Sequence, residues 1–391
     1  MLFDYDDEVL QLTAQLISIK STNPGTHEKH IGNFITYWLT YQTGLTVIQD
    51  AITPDRFNVV CILAGKIKDP AYVNINHMDV VQEGKGWDTP PFVPIFKEGR
   101  LYGRGSADMK SGLAAGMIAF RDTVRYAKDN NILPIRDYIF IASADEEGDH
   151  MQGSLQAVNS GYITANSYVL DHEPSGGVIW QAHKGKIFFD LTFTSPTDVS
   201  DTIQAMSQAI HNIRLKLKAL PLDQCFGPST VCFGKISSQD ASDTVLNNCT
   251  LTLDMRLSPP LTPDKAIALI ETIITDSEVK YPGINGDYRI ITQKPFIETN
   301  QNSILFHTLQ TVVHEITGQE PQAEVFAGYT DSAVVAALTG NSNTMSYGPK
   351  GSTLHVANEW VDCASILEVT AISKRLAKQL VFNPKGKDIH E

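Results

Sequence analysis

Asp137-Tyr138-Ile139-Phe140-Ile141-Ala142-Ser143-Ala144-Asp145-Glu146-Glu147 is a short apolar run that ends in three acids. Rich in β-branched and aromatic residues, it reads as a strand buried on both faces. Two other segments share the design. Ala71-Tyr72-Val73-Asn74-Ile75 runs into Asn76-His77-Met78-Asp79, and Ser167-Tyr168-Val169-Leu170 runs into Asp171-His172-Glu173-Pro174. Asn58 to Leu63 reads as a further strand, and Leu113 to Ala127 as a helix. Strands alternating with helices predict an α/β fold with a largely parallel sheet covered on both faces. In open α/β sheets ligands bind beyond the carboxyl ends of the strands. Three separate loops would therefore deliver histidines and acids to one place.

Outward from that sheet, Asp4, Asp6, Asp7 and Glu8 precede the periodic Val9, Leu10, Leu12, Leu16 and Ile17, as at a helix N-terminus. Asn23-Pro24-Gly25 breaks this helix, and a second is expected over His30 to Thr40. The middle of the chain changes character. Strands are expected at Ile187 to Phe193, Thr250 to Leu257 and Tyr288 to Thr292, with helices at Thr202 to Leu217 and Pro263 to Thr275. That order suggests a small α+β insert. The lysines of Asn383 to Glu391 read as a solvated tail.

The chain of 391 residues is long enough for two domains. Its net charge of -13 repels phosphate backbones, which argues against nucleic acid as a partner. The five cysteines, Cys61, Cys225, Cys232, Cys249 and Cys363, are odd in number and show no CxxC spacing. Isolated thiols in a reducing compartment are expected rather than a disulfide framework. The acidic start MLFDYDDEVLQLTAQLISIKS does not have the pattern of a secretory signal. No window approaches the ~18–20 apolar residues of a membrane helix, so the expectation is a cytoplasmic protein without membrane attachment.

Each polar segment has two readings taken alone. His77 and Asp79 make either a structural pair or a metal ligand with a supporting acid. Asp108, in Gly103-Arg104-Gly105-Ser106-Ala107-Asp108-Met109-Lys110, is either the N-cap of the following helix or a ligand. Asp145-Glu146-Glu147 is either a solvated acidic turn or a set of carboxylates that a cation relieves. In the second case one acid ligates while its neighbour takes a proton from water. Glu173 and His355 complete a mixed nitrogen and oxygen set that suits zinc.

Read together, these segments resemble the co-catalytic zinc peptidase family that contains aminoacylase, carboxypeptidase G, acetylornithine deacetylase and succinyl-diaminopimelate desuccinylase. The resemblance spans nearly the whole chain. It rests on His77-Met78-Asp79, Trp87-Asp88-Thr89-Pro90-Pro91-Phe92, Leu101 through Lys110, Glu146-Glu147-Gly148, Glu173-Pro174, Ala182-His183-Lys184-Gly185, Asp254-Met255-Arg256 and Tyr347-Gly348-Pro349 before His355. It implies a zinc aminopeptidase-like three-layer catalytic domain, residues 1–183 and 292–391, split by an inserted α+β lid and dimerisation domain, residues 184–291. It implies two divalent ions, zinc first, with cobalt or manganese as substitutes. His77 and Glu173 would hold one ion, Glu147 and His355 the other, and Asp108 would bridge them. Asp79 would support His77, and Glu146 would be the general base. Arg256, Gly328 and Thr330 are the substrate-binding candidates, although Arg256 also fits a salt bridge within the insert. A homodimer through the insert is expected.

Two departures from the family stand out. Members carry an Ala-His pair after the first strand of the insert, where this chain reads Thr194-Ser195-Pro196-Thr197-Asp198-Val199-Ser200. Asp243 stands where the family has an asparagine, and an ionised acid cannot donate a hydrogen bond. The expected function is metal-dependent hydrolysis of the amide of an N-acyl amino acid, of the deacetylase or desuccinylase kind. A dipeptidase or carboxypeptidase is the alternative within the family, and a catalytically weakened, metal-stabilised binding protein is the alternative outside enzymes.

Overall fold

The computed structural model describes residues 5–148, 150–196, 199–239, 247–298, 300 and 302–383. Helix α1 (Glu8–Ser18) is capped by Asp7, whose carboxylate accepts from Val9 N at 3.0 Å, and α2 (Lys29–Thr43) stops at left-handed Gly44. Strands β1 (Val47–Thr53) and β2 (Arg56–Leu63) form a hairpin, followed by β3 (Ile67–His77) and the short pair β4 (Ile95–Lys97) and β5 (Arg100–Tyr102). Helix α3 (Ser111–Asp129) can press close because it carries glycine. A Cβ on Gly112 would stand 2.1 Å from the His172 carbonyl oxygen, and one on Gly116 would stand 2.3 Å from Asn74 Oδ1. Then come β6 (Arg136–Ser143), α4 (Gln152–Asn159), β7 (Tyr168–Asp171) and β8 (Ile179–His183). The insert comprises β9 (Gly185–Ser195), α5 (Val199–Lys218), β10 (Thr230–Gln239), β11 (Asn247–Leu257), α6 (Pro263–Lys280) and β12 (Asn285–Lys294). The chain returns through α7 (Ile304–Thr317), β13 (Ala323–Phe326), α8 (Asp331–Thr339), β14 (Thr344–Ser346), β15 (Gly351–Ser352), β16 (Trp360–Asp362) and α9 (Cys363–Phe382).

The main sheet has eight strands in the order β1-β2-β6-β3-β7-β14-β8-β13. It is mixed, which corrects the largely parallel expectation. β6, β3, β7 and β14 run parallel to one another. β1 with β2, β2 with β6, and β8 with β14 are antiparallel. The reason is the connections. Parallel neighbours need a long crossover, which α3 and α4 supply, whereas β1 and β2 are joined by a tight turn. On β6 the side chains of Tyr138, Phe140 and Ala142 enter a core shared with α1, α3 and α9, while Ile139 and Ile141 enter a second with Ala157 and Val335. Burial on both faces explains the unbroken apolar run.

The chain divides into two compact units, Met1–Gln181 with Thr299–Glu324 and Thr330–Glu391, and Ala182–Glu298 with Val325–Tyr329. The second unit is a four-stranded antiparallel sheet, β10-β11-β9-β12. Along β9 and β11 buried and half-buried residues alternate, and Ile187, Phe189, Leu191, Leu251, Leu253 and Met255 pack on Met206, Ile213 and Ile270 of the helices. Strand β10 escapes the sequence reading because Gly234 and a register shift between Phe233 and Ile236 interrupt its alternation. Asp243 lies outside the described residues, as do Thr197 and Asp198. Among the described residues no helix is long and apolar enough to cross a membrane.

Candidate metal centre

His77 is the last residue of β3 and is fully buried. Its Nδ1 lies 2.9 Å from the main-chain carbonyl of Asp79, so Nδ1 carries the proton and Nε2 presents its lone pair. The Asp79 carboxylate stands farther off, at 3.6 Å from Nδ1. It accepts instead from Glu146 N at 3.2 Å, Glu147 N at 3.1 Å and Asn23 Nδ2 at 2.8 Å. The side chain of Asp79 thus shapes the turn that carries the acid pair, while its backbone orients His77.

Asp108 lies in the turn Ser106–Lys110, where its backbone leaves the helical region at φ -115° and ψ 96°. It is not a helix cap, because α3 starts at Ser111 behind Lys110 and has no side-chain cap bond. Its Oδ1 is 3.2 Å from His77 Nε2, and its Oδ2 is 3.1 Å from His355 Nε2. His355 stands in a left-handed turn at φ 61° and also lies 3.2 Å from Glu147 Oε2. Glu173 follows β7, with Oε1 3.7 Å from His77 Nε2. Two ligand atoms on one tetrahedral zinc stand roughly 3.3 Å apart, given bonds of about 2.0–2.1 Å. These separations of 3.1–3.7 Å match that figure. Ligand atoms of His77, Asp108 and Glu147 all lie within 4.8 Å of one another, as do those of His77, Glu146 and Glu173. Glu146 thus reaches the same cluster, at 3.9 Å from His77 Nε2.

The first of the three successive acids leaves the cluster. Asp145 pairs with Arg56 Nη1 at 2.9 Å and with Asn23 Nδ2 at 2.9 Å, while Arg56 forks onto Glu28 at 2.8 Å and 2.5 Å. His172 is also structural, bonded to the Tyr347 carbonyl at 2.8 Å and Ser373 Oγ at 2.9 Å, and burial pulls its pKa down to about 4.

The cluster is electrostatically incomplete without positive charge. Burial pushes Glu146 well above the usual carboxylate range; His77 opposes this, and Glu147, Asp331 and Asp108 add to it. Burial does the same to Glu173, with Asp108 adding. His77 is raised despite its burial, because Asp108, Glu146 and Glu173 surround it. Hydrogen bonds to Asp108 and Glu147 raise His355 to about 10. Glu147 Oε1 and Glu173 Oε1 are buried and have no hydrogen-bond partner. Acid oxygens facing imidazole nitrogens, the orphaned Glu173 Oε1 among them, are the donor set of divalent ions in mixed nitrogen and oxygen sites, so these residues fit the metal the sequence implied.

The substrate candidates sit elsewhere. Arg256, on β11 of the second unit, donates to Asp254 at 2.9 Å and to the Ala327 carbonyl at 3.1 Å, so the salt-bridge reading holds and the residue also braces the loop that carries Gly328. Thr330 begins α8 with its hydroxyl buried, 2.9 Å from Ser332 Oγ and 3.4 Å from Ser346 Oγ. Sequence reasoning missed Asn23, Glu28 and Arg56. A polar break at Asn23-Pro24-Gly25 and an arginine opening an apolar strand were the only signals.

Comparison with known proteins agrees with this geometry. The model of peptidase family M20/M25/M40 matches residues 75–379. A succinyl-diaminopimelate desuccinylase from Magnetococcus marinus is 27% identical over 328 residues, covering 79% of this chain and 83% of the relative. An M20-family metallo-carboxypeptidase from Sulfolobus solfataricus shares the fold at a TM-score of 0.73 and 15% identity, covering 95% of this chain and 99% of that one. So does a dinuclear metal-binding M20 peptidase from Bacillus subtilis, at a TM-score of 0.72 and 13% identity, covering 95% and 97%. The chain belongs to peptidase family M20/M25/M40 and is a metallohydrolase of amide or peptide bonds.

Proposed function

We propose that this protein hydrolyses the amide bond of an N-acyl amino acid whose acyl group carries a second carboxylate, as a desuccinylase does, using two divalent ions. The observation that carries the reading is Asp108, whose two oxygens face two different histidines at 3.2 Å and 3.1 Å. Zinc suits the ligand types best, with cobalt or manganese as substitutes. His77 and Glu173 would hold one ion, His355 and Glu147 the other, with Asp108 placed to reach both. Bound there, such ions supply Lewis acidity toward the amide carbonyl and make water a stronger acid. Glu146 takes the proton of the attacking water and returns it to the leaving nitrogen.

The second unit carries a row of cations of its own. Lys186 on β9 pairs directly with Arg256 on β11 and with Lys294 on β12. Like charges directly opposite one another destabilise a sheet, and an anion relieves them. Asp254 pairs with Arg256 in that row at 2.9 Å. Lys294 lies over the ring of Tyr329 at 5.0 Å, and Tyr329 follows Gly328. The desuccinylase relative acts, by its name, on a succinylated amine. A carboxypeptidase reading is the alternative, carried by the fold relative of that name. A dimer through the second unit fits β10, an edge strand with exposed Ile236. A cytoplasmic location fits the five free cysteines.

A mass-spectrometric screen of N-succinyl amino acids, N-acetyl amino acids and dipeptides tests the reading. Cleavage of the N-succinyl compounds, lost on chelation and restored by zinc, is expected. Cleavage of dipeptides alone moves the protein to the peptidases, and no metal-dependent cleavage leaves only a binding role.

A further inference from the structure

Glu359 lies just beyond the loop that carries His355 and is fully buried. Its carboxylate is saturated by one side of the Asp108 turn. Oε1 accepts from Ala107 N at 2.9 Å and from Asp108 N at 3.0 Å. Oε2 accepts from Gly105 N at 2.9 Å and from Arg104 Nη1 at 2.5 Å. The Glu359 carbonyl also accepts from Gly103 N at 3.0 Å. Successive amides converging on one acid form an anion-binding concavity, here filled from within the chain.

Arg104 extends the clamp. It is 1% exposed, and its Nη2 reaches the carbonyls of Val356 at 3.2 Å, Gln82 at 3.4 Å and Glu83 at 3.4 Å. Val356 follows His355, and Gln82 and Glu83 follow the His77–Asp79 segment. One buried ion pair thus joins the three loops that present His77, Asp108 and His355. A buried ion pair contributes little net stability compared with apolar packing of the same shape. Here its geometry has a more direct consequence, because the amide of the bridging residue itself is held.

Resting on the two-ion reading above, we propose that Glu359 is a positioning residue that fixes the Asp108 turn so that one carboxylate reaches both ion subsites. Glutamine at this position keeps the shape, but its amide group would place a donor against Gly105 N and Arg104. Asp108 would then lose its aim at one of the two histidines. Outer-shell partners of metal ligands typically govern ~10–100-fold in affinity.

The test is calorimetric titration of zinc into metal-stripped wild-type protein, Glu359→Gln, and the double variant Glu359→Gln/Arg104→Met, with the melting temperature of each metal-free form. Two zinc ions are expected in the wild type. In Glu359→Gln the weaker site should lose ~10-fold or more. The double variant removes the unpaired arginine charge but leaves the amides without an acid, so its stability should recover while its zinc affinity stays low. Wild-type affinity in either variant overturns the proposal; in the double variant it would make Glu359 merely the partner of Arg104. Fewer than two ions in the wild type overturns the two-ion reading itself, and the proposal with it.

Discussion

The two compact units hold their charges in opposite ways. In the first, Asp79, Arg104 and Glu359 are buried, and each is fixed by partners distant in sequence. In the second, the charges lie on the open face of a sheet and pair along a strand or with the residue directly across it. Arg256 with Asp254 is 2.9 Å apart and two residues apart in sequence, and Arg289 with Asp190 is 2.6 Å apart, with the arginine side chain 76% exposed. A buried charge depends on every partner, because the alternative is costly desolvation. An exposed pair is screened and worth about 0–1 kcal/mol. Substitutions in the first unit should therefore act through chemistry and folding, and those in the second through substrate affinity.

Glu146→Ala should show the largest effect. Turnover should fall by ~10²–10⁴ while both ions stay bound, read as kcat beside metal content. Retained turnover would remove Glu146 from its role as base. Next is Arg56→Met, which strands Glu28 and Asp145 without their cation. Breaking a buried pair costs ~3–5 kcal/mol, and the slight exposure of Arg56 places the expected loss at the low end. Urea unfolding measures it, and a loss under about 1 kcal/mol would show that the cluster stands without this support.

The second unit should respond more gently. Arg256→Ala and Lys186→Ala should each raise KM for a succinylated substrate about tenfold, the loss of roughly 1.4 kcal/mol, with kcat nearly unchanged. A fall in kcat instead would bring these residues into the chemistry and erase the contrast between the units. A further effect concerns pH. Burial lowers His183 to about 3. Below its unfolded pKa near 6.5 the unfolded imidazole gains a proton and the folded one does not. Stability is thus lost as pH falls from 6.5 toward 3, by at most ~1.4 kcal/mol per unit. The drop in unfolding free energy between pH 7 and pH 5 should shrink by up to ~2 kcal/mol in His183→Gln. An unchanged drop would mean that His183 titrates normally.

The same contrast explains what was legible in the sequence. Strands ending in His77, Glu146-Glu147 and Glu173 announce themselves, because an apolar run followed by acids is a local pattern. Asp108 was ambiguous with a helix cap until the start of α3 at Ser111 decided it. Arg56, Glu28 and Glu359 gave no comparable signal, since their partners lie far along the chain; Arg104 and Glu359 are 255 residues apart. The role of Asp79 was half legible. Its place beside His77 was clear, but its carboxylate serves the amides of Glu146 and Glu147. In the second unit the alternation of β9 and β11 gave the fold. Alternation says nothing about function, and the cation row appears only when register sets Lys186 beside Arg256 and Lys294.

The family relation carries the metal half of the site further than the substrate half. After β9 the sequence Thr194-Ser195-Pro196-Thr197-Asp198-Val199-Ser200 departs from the Ala-His pair of the family.

The central claim is that Asp108 serves two ions at once, and the most direct measurement is the zinc stoichiometry of wild-type protein against Asp108→Ala. Two zinc ions per chain are expected in the wild type, with both sites weakened together in the variant. A variant that loses one ion and keeps the other at wild-type affinity would contradict the bridge.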